Sequence, residues 1–326
     1  MNPRSTTRRA LLGTCVALLC APVIASGQTA EYPQKPITMV VSAAAGGVVD
    51  ITARSIQQRM GELLGTSIVI DNRPGAGAHI GNAVVAKAVP DGYTILASAG
   101  SVLVSGVVRN ISYDPIKDLT PIGMVASSAF ILVVPANSPF KTLDDMVAYG
   151  KAHPNQLNFG STGVGNSTHI GAEMLSLLTG MKATHVPYKG SAAALTDLIG
   201  GRIDFLVDNK ASSLSHIRSG AIRALGVTSP GRSADLPDVP AIGEVVPGYE
   251  IEGWTGLFAP GGTDPKILQT LSDALKRTLE DPVLAAKVSE LVGEARYLSA
   301  SELLQYMERD RARLGKVVTA ANITVD

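Results

Sequence analysis

Short β-branched runs alternate with stretches in which apolar residues return every three or four positions. Period-two and fully apolar runs place strands at residues 37–42, 67–71, 93–98, 130–135, 157–161, 183–188, 204–208, 223–228 and 253–259. Between them Ala53, Ile56, Met60 and Leu63 keep helical spacing, as do Ile170, Met174, Leu177 and Leu178. The same period returns in Leu268, Leu271, Leu275 and Leu279, and again in Leu284, Val288, Leu291 and Val292. Thr142 with Asp145 and Ser299 with Glu302 have the spacing of capping boxes, in which a hydroxyl and a carboxylate satisfy each other's backbone N–H. Strands alternating with helices predict an α/β fold whose mostly parallel sheets carry helices on their faces.

Ahead of this region, Arg4, Arg8 and Arg9 precede an apolar run from Ala10 to Ile24 that ends in Ala25, Ser26 and Gly27. A basic start, a short apolar core and small residues define a secretory signal peptide, cleaved near residue 27. The Arg8-Arg9 pair is compatible with general secretory and with twin-arginine export. The run is too short to remain as a span, and no later stretch is long and apolar enough to be one. Both cysteines, Cys15 and Cys20, fall inside the signal and match a lipid-attachment box poorly. The mature chain therefore has no thiol for a disulfide, a nucleophile or a metal.

Removing the signal leaves 25 basic and 28 acidic residues, a net charge of −3. That balance offers no basic surface for nucleic acid. About 300 mature residues suggest two domains. Aromatic residues make up 4% of the chain, with Trp254 the single tryptophan, so flat faces for stacking a sugar ring are scarce. An acyclic or small polar ligand fits this composition better.

The candidate chemistry lies in glycine-rich turns where a predicted strand passes into a helix, because ligands of parallel sheets sit beyond the carboxyl ends of strands. In the first, Ala44, Ala45, Gly46 and Gly47 bring bare backbone to a helix start and make a candidate anion cradle. Asp50 follows in the first helical turn, as a ligand contact or as a cap. In the second, Gly75, Gly77 and Gly81 have the wrong spacing for a dinucleotide fingerprint, and Arg73 reads as a loop residue. In the third, Ser161, Thr162, Gly163, Ser167 and Thr168 gather hydroxyls and N–H groups where a helix begins, with Asn166 or Ser167 as its N-cap. Two such starts closing on one anion would hold it without an arginine fork.

Other chemistry fits less well. His79, His153, His169, His185 and His216 stand in unlike contexts with no metal-binding motif, so neither a metal nor a cofactor is expected. A secreted hydrolase would need a glycine where His169 stands, and His169 is too near Ser167 on one helix to act as its base.

Several segments together have a family likeness: Gly46-Gly47-Val48-Val49-Asp50, Asn72-Arg73-Pro74-Gly75-Ala76-Gly77, and Ala88-Val89-Pro90-Asp91-Gly92-Tyr93-Thr94. Val186-Pro187-Tyr188-Lys189-Gly190, Asp208-Asn209 and Trp254-Thr255-Gly256-Leu257-Phe258-Ala259-Pro260 continue it. Over nearly all of the mature chain the sequence resembles the Bug family, the periplasmic receptors of tripartite tricarboxylate transporters. The resemblance implies a two-lobed type II periplasmic-binding-protein fold, with residues 28–133 and 254–326 in one lobe and 134–253 in the other. It implies a periplasmic monomer, not an enzyme, that binds a small organic carboxylate and meets membrane transporter subunits. A sensory partner of a membrane kinase would share these features. By position, Ala44 through Gly47 and Ser161, Thr162, Ser167 and Thr168 would form the grip. Ser98, Gly100, Tyr188, Lys189, Asp208 and Asn209 would line the rest. Ala43, Ala44 and Lys210 depart from the family pattern and leave the ligand's identity open.

Overall fold

The chain begins as an alternation in the computed structural model, which describes residues 32–103 and 111–323; the stretch read as a signal peptide, with Cys15 and Cys20, lies outside the described residues. The first half runs β1 (Ile37–Val41), α1 (Val48–Leu64), β2 (Ile68–Asn72), α2 (His79–Ala86), β3 (Thr94–Ala99) and the long β4 (Leu119–Pro135). Next come α3 (Leu143–Ala152), β5 (Leu157–Ser161), α4 (Ser167–Thr179), β6 (Ala183–Pro187), α5 (Ser191–Ile199) and β7 (Phe205–Asn209). They are followed by α6 (Lys210–Arg218), β8 (Ile222–Val227) and α7 (Ile242–Val245). The chain closes with β9 (Glu252–Pro260), α8 (Pro265–Leu279), α9 (Pro282–Val292), β10 (Glu294–Ser299) and α10 (Ala300–Ala320).

The helices form where the apolar period demands a buried stripe. In α1, Val49, Ala53, Ile56, Met60 and Leu64 face inward onto Met39, Val41 and Ile95 of the sheet, and Gly65 ends the helix in the left-handed region at φ 66°. Thr142 caps α3 by accepting the Asp145 N–H while Asp145 accepts the Thr142 N–H, and Ser299 and Glu302 do the same for α10. Both boxes read from the sequence are present.

Parallel pairing joins β2, β1 and β3 in one part of the sheet and β6, β5 and β7 in the other. Antiparallel strands stand between them: β9 pairs with β3 and with β4, which pairs in turn with β7, β8 and β10. The expectation of mostly parallel sheets thus holds for the outer strands and is replaced by antiparallel pairing at the centre.

The centre is one long strand. Residues 119–129 of β4 pair with β9, and from Phe130 onward the same strand pairs with β7 and β8. Ala99, at the end of β3, lies opposite Thr255, which lies opposite Ala126; Asn209, at the end of β7, lies opposite Phe130. Since β3 runs with β4 and β7 runs against it, the carboxyl ends of the two parallel sets point toward each other across residues 126–130. The helix α10 packs on β4 and also on α4, burying Leu314, Val317 and Val318 in the same apolar cluster as Ile170, Met174 and Leu175.

Candidate functional site

The first turn leaves β1 through Ser42 and enters α1 at Val48. Asp50 is 2% exposed and holds this turn in shape. Its carboxylate accepts the Gly46 N–H at 2.8 Å, Arg54 Nε at 2.9 and 3.0 Å, and Asn72 Nδ2 at 2.9 Å. The hydrogen bond from Arg54 is the main reason its carboxyl is held down to about 2, with Gly46 and Asn72 adding to it against the cost of burial. Asn72 also donates to the Ala43 carbonyl at 3.1 Å. Asp50 therefore caps the turn, the second of the two roles its position allowed. Gly47 gives α1 no side-chain cap, and Ala44, Ala45 and Gly46 are exposed. First-turn N–H groups have no intrahelical acceptor, so α1 offers outward-facing donors at the positive end of its dipole.

Behind this turn Ser98 is fully buried, unlike a pocket-lining residue. The Ser42 hydroxyl lies 2.9 Å from the Ser98 hydroxyl, Ser98 donates to Asn82 Oδ1 at 2.9 Å, and Asn82 Nδ2 donates to the Tyr113 oxygen at 3.0 Å. Ser98 therefore braces the turn from below. Gly100 follows β3 with its N–H on the Trp254 carbonyl at 3.1 Å, and a Cβ there would meet Trp254 Nε1 at 2.7 Å. Only glycine leaves room for the indole.

The third turn joins β5 to α4, and its hydroxyl protons can be assigned one by one. Asn166 caps α4 by accepting the His169 N–H. Thr168, 2% exposed, accepts the Thr162 N–H at 2.9 Å and donates to Asn166 Oδ1 at 2.8 Å. Asn166 Nδ2 donates to Thr162 Oγ1 at 2.7 Å. With the Thr168 proton on Asn166, the Thr162 hydroxyl is the donor of its 3.0 Å contact with Thr168 Oγ1, and its proton alone in the ring can turn to another acceptor without breaking a bond to Asn166. Ser161 is fully buried and bonded to Gly163 and His185. The Ser167 hydroxyl has no partner among the described residues and is half-buried. Thr162 and Ser167 are thus the hydroxyls least tied into the turn, while Ser161 and Thr168, expected in the grip, build it.

On the same side, Asp208 is fully buried, accepting Ser191 Oγ at 2.5 Å and Ser213 Oγ at 2.8 Å. Burial pushes its carboxyl up and the two serines pull it back. It ties the starts of α5 and α6 to the end of β7 and faces no solvent. Asn209 is exposed, with Nδ2 on Ser191 Oγ at 3.3 Å and its amide oxygen unengaged among the described residues. Tyr188 turns away to donate to Asp197 Oδ2 at 2.9 Å. Lys189 is exposed and makes no ion pair among the described residues, whereas Lys210 is bound to Asp235 at 2.6 Å. No group of three or more metal-ligating side chains occurs among the described residues.

The bracing roles of Arg54, Asn72 and Asn82 are not legible in the sequence. Their partners Asp50 and Ser98 are close only in space, and no local spacing signals a brace between two strand ends.

A sheet of two parallel sets with facing carboxyl ends, crossed by long antiparallel strands and carrying uncommitted donors at those ends, is the architecture of a periplasmic binding protein. Residues 52–323 match the family model described as tripartite tricarboxylate transporter family receptor, and the chain belongs to that family. Protein BugT of Bordetella pertussis is 35% identical over 277 residues, covering 83% of this chain and 84% of BugT. The structure of Rpa4515 of R. palustris with adipate is 34% identical with a TM-score of 0.73, covering 90% of this chain and 99% of that one. A TctC solute binding protein from Polaromonas, without ligand, has a TM-score of 0.81 at 26% identity, covering 89% and 99%. Receptors of this family are periplasmic solute-binding proteins.

Proposed function

We propose that this chain captures one small organic dicarboxylate between the Ala44–Gly47 turn and the Ser161–Thr168 turn and delivers it, unchanged, to the membrane subunits of a tripartite tricarboxylate-type transporter. The observation that carries this reading is the pair of helix starts at facing strand ends, with exposed small residues at one and the hydroxyls of Thr162 and Ser167, the least engaged of the turn, at the other. A carboxylate needs donors without bulk, and both turns supply them while their other polar groups are internally satisfied. Ala44, Ala45, Gly46, Gly47, Thr162, Gly163 and Ser167 would contact the ligand, with Lys189 and Asn209 toward its second end. The bound adipate of Rpa4515, on a related fold, supports a dicarboxylate.

The signal peptide at residues 1–27 supports export to the periplasm, where the receptor works as a monomer. Residues 28–133 with 254–326 and residues 134–253 act as lobes that close on the ligand, with β4 and β9 as the hinge strands. Among the described residues no catalytic arrangement competes with this reading. His169 Nδ1 accepts the Gly165 N–H and its Nε2 lies 3.7 Å from Glu173, so it is no base for Ser167. Ser161 does touch a histidine, but a fully buried hydroxyl meets no substrate.

A thermal-shift panel of C4 to C6 dicarboxylates, followed by calorimetry and mass spectrometry of released ligand, tests the proposal. A ligand at 100 times its dissociation constant adds about 2.7 kcal/mol to stability. Absence of any shift with every dicarboxylate, or turnover of a bound acid, would refute it.

A further inference from the structure

Beneath the third turn two imidazoles lie face to face. The His169 ring on α4 and the His185 ring on β6 are stacked with centroids 3.7 Å apart and planes within 11°. Phe159, the register partner of His185 on β5, extends the stack at 4.9 Å from His185 and 6.0 Å from His169. Glu173 Oε1 lies 3.7 Å from His169 Nε2.

The bonding of the stack fixes its protons. His169 Nδ1 accepts the Gly165 N–H at 3.0 Å, so its proton is on Nε2, toward Glu173. Ser161 Oγ has three polar neighbours: the Gly163 N–H at 3.2 Å, the Gly163 carbonyl at 3.1 Å and His185 Nε2 at 2.7 Å. The Gly163 N–H can only donate and the carbonyl can only accept. The single assignment that satisfies all three sends the Ser161 proton to the carbonyl and requires His185 to donate Nε2–H. Burial, with His169 alongside, holds His185 down to about 4.

We propose that His185 is a positioning residue: by donating Nε2–H to Ser161 it fixes the 161–165 turn, so that Thr162 and the first N–H groups of α4 stay aimed at the ligand. The ligand part of this inference rests on the proposed function; the ordering of the turn does not. His185 and His169 hold the turn at two points, Ser161 and Gly165, two residues either side of Gly163, whose φ of +144° is a conformation with few intrinsic constraints.

The test uses the mature chain carrying His185→Leu, His185→Gln, Ser161→Ala, and Ser161→Ala combined with His185→Leu. Glutamine places an N–H donor near the Nε2 position and leucine places none. Amide exchange at Gly163 and Gly165 should rise roughly tenfold in His185→Leu and return to within about threefold of the unaltered protein in His185→Gln. Adipate affinity should follow the same order, a tenfold loss corresponding to about 1.4 kcal/mol. Because His185 acts through Ser161, the double variant should lose no more than Ser161→Ala alone. In the unaltered protein, 15N NMR should find the His185 proton on Nε2, a readout that holds even where a variant fails to fold. A proton on Nδ1, unchanged exchange in His185→Leu, a glutamine no better than leucine, or additive losses would each overturn the proposal. Failure of the unaltered protein to bind adipate would count against that ligand and leave exchange and tautomer to decide the role of His185.

Discussion

Asp50 Oδ2 accepts the N–H of Gly46 at 2.8 Å, four residues earlier in the chain, and this contact folds the first turn back onto the start of α1. The same carboxylate is bonded to Arg54 and Asn72, so one buried side chain ties helix, turn and neighbouring strand together.

Asp50→Asn should therefore destabilise the protein by about 1.5–3 kcal/mol, the range for hydrogen bonds to a charged group, as read by urea denaturation at neutral pH. Arg54 holds the carboxyl at about 2, below its ordinary 3.8. A carboxyl depressed on folding contributes stability that is complete above its unfolded value and is lost as pH falls from 3.8 toward 2. The asparagine variant should lose that part of the acid slope. An identical slope in both proteins would show that other carboxyls govern acid unfolding.

Two glycines of the site are required for different reasons. Gly46 has φ +79° and nothing within 4 Å of a built Cβ, so Gly46→Ala costs backbone strain alone, about 1–2 kcal/mol. A valine there would strain the backbone further, so steric block of the ligand cannot be read from that variant without a stability measurement. Gly100 has ordinary backbone but a Cβ would meet Trp254 Nε1 at 2.7 Å. Gly100→Ala should cost about 1–3 kcal/mol by overpacking and should change the emission of Trp254, the single tryptophan, which is 3% exposed. Unchanged emission would show that the indole does not bear on this loop.

The outer strands and most helices were legible because burial on one or both faces leaves a period. The long β4 was visible only from residue 130 to 135, since its earlier part contains Gly123, Ser127 and Ser128 and has bulge-like register shifts against β9. The edge strand β10 went unread: Glu294 and Arg296 interrupt its apolar positions, and its partner Ser127 is far away in sequence. Within the site the turns were legible as clusters of small residues. Which hydroxyls face outward was not, because the roles of Ser98, Ser161, Thr168 and Asp208 depend on Asn82, His185, Asn166, Ser191 and Ser213 closing on them in three dimensions.

The crossing strands carry a buried charge. The Glu252 side chain is 5% exposed and pairs with Arg296 Nη1 at 3.0 Å, with burial pushing its carboxyl up and Arg296 opposing this. Arg296→Met leaves the carboxylate unpaired, and the loss at pH 7 should be about 2–3 kcal/mol, below the usual 3–5 because the arginine is a third exposed. A carboxyl raised on folding holds its proton longer in the folded state, so its penalty grows as pH rises above the ordinary 4.5. The destabilisation should accordingly shrink between pH 7 and pH 4. A loss independent of pH would assign the effect to packing of the arginine stem.

The four hydroxyls of the third turn should separate into two pairs. The Ser167 hydroxyl has no partner among the described residues and the Thr162 proton can turn from Thr168 Oγ1 to a ligand, so Thr162→Ser should bind normally, while Ser167→Ala should weaken binding roughly tenfold, about 1.4 kcal/mol, with little change in stability. Thr162→Val removes an acceptor of Asn166 as well and should cost both affinity and about 1 kcal/mol of stability. Ser161→Ala and Thr168→Val remove bonds that shape the turn, so stability should fall first and affinity with it. Arg73 is exposed and bound to Asp71 at 2.9 Å, and Arg73→Ala should leave affinity within about twofold. Titrations with one dicarboxylate at fixed salt, set beside denaturation midpoints for the same variants, decide the matter. If Arg73→Ala lost a hundredfold while Ser167→Ala bound normally, the acid would be held by a guanidinium salt bridge and the uncommitted hydroxyls would have no part in the grip.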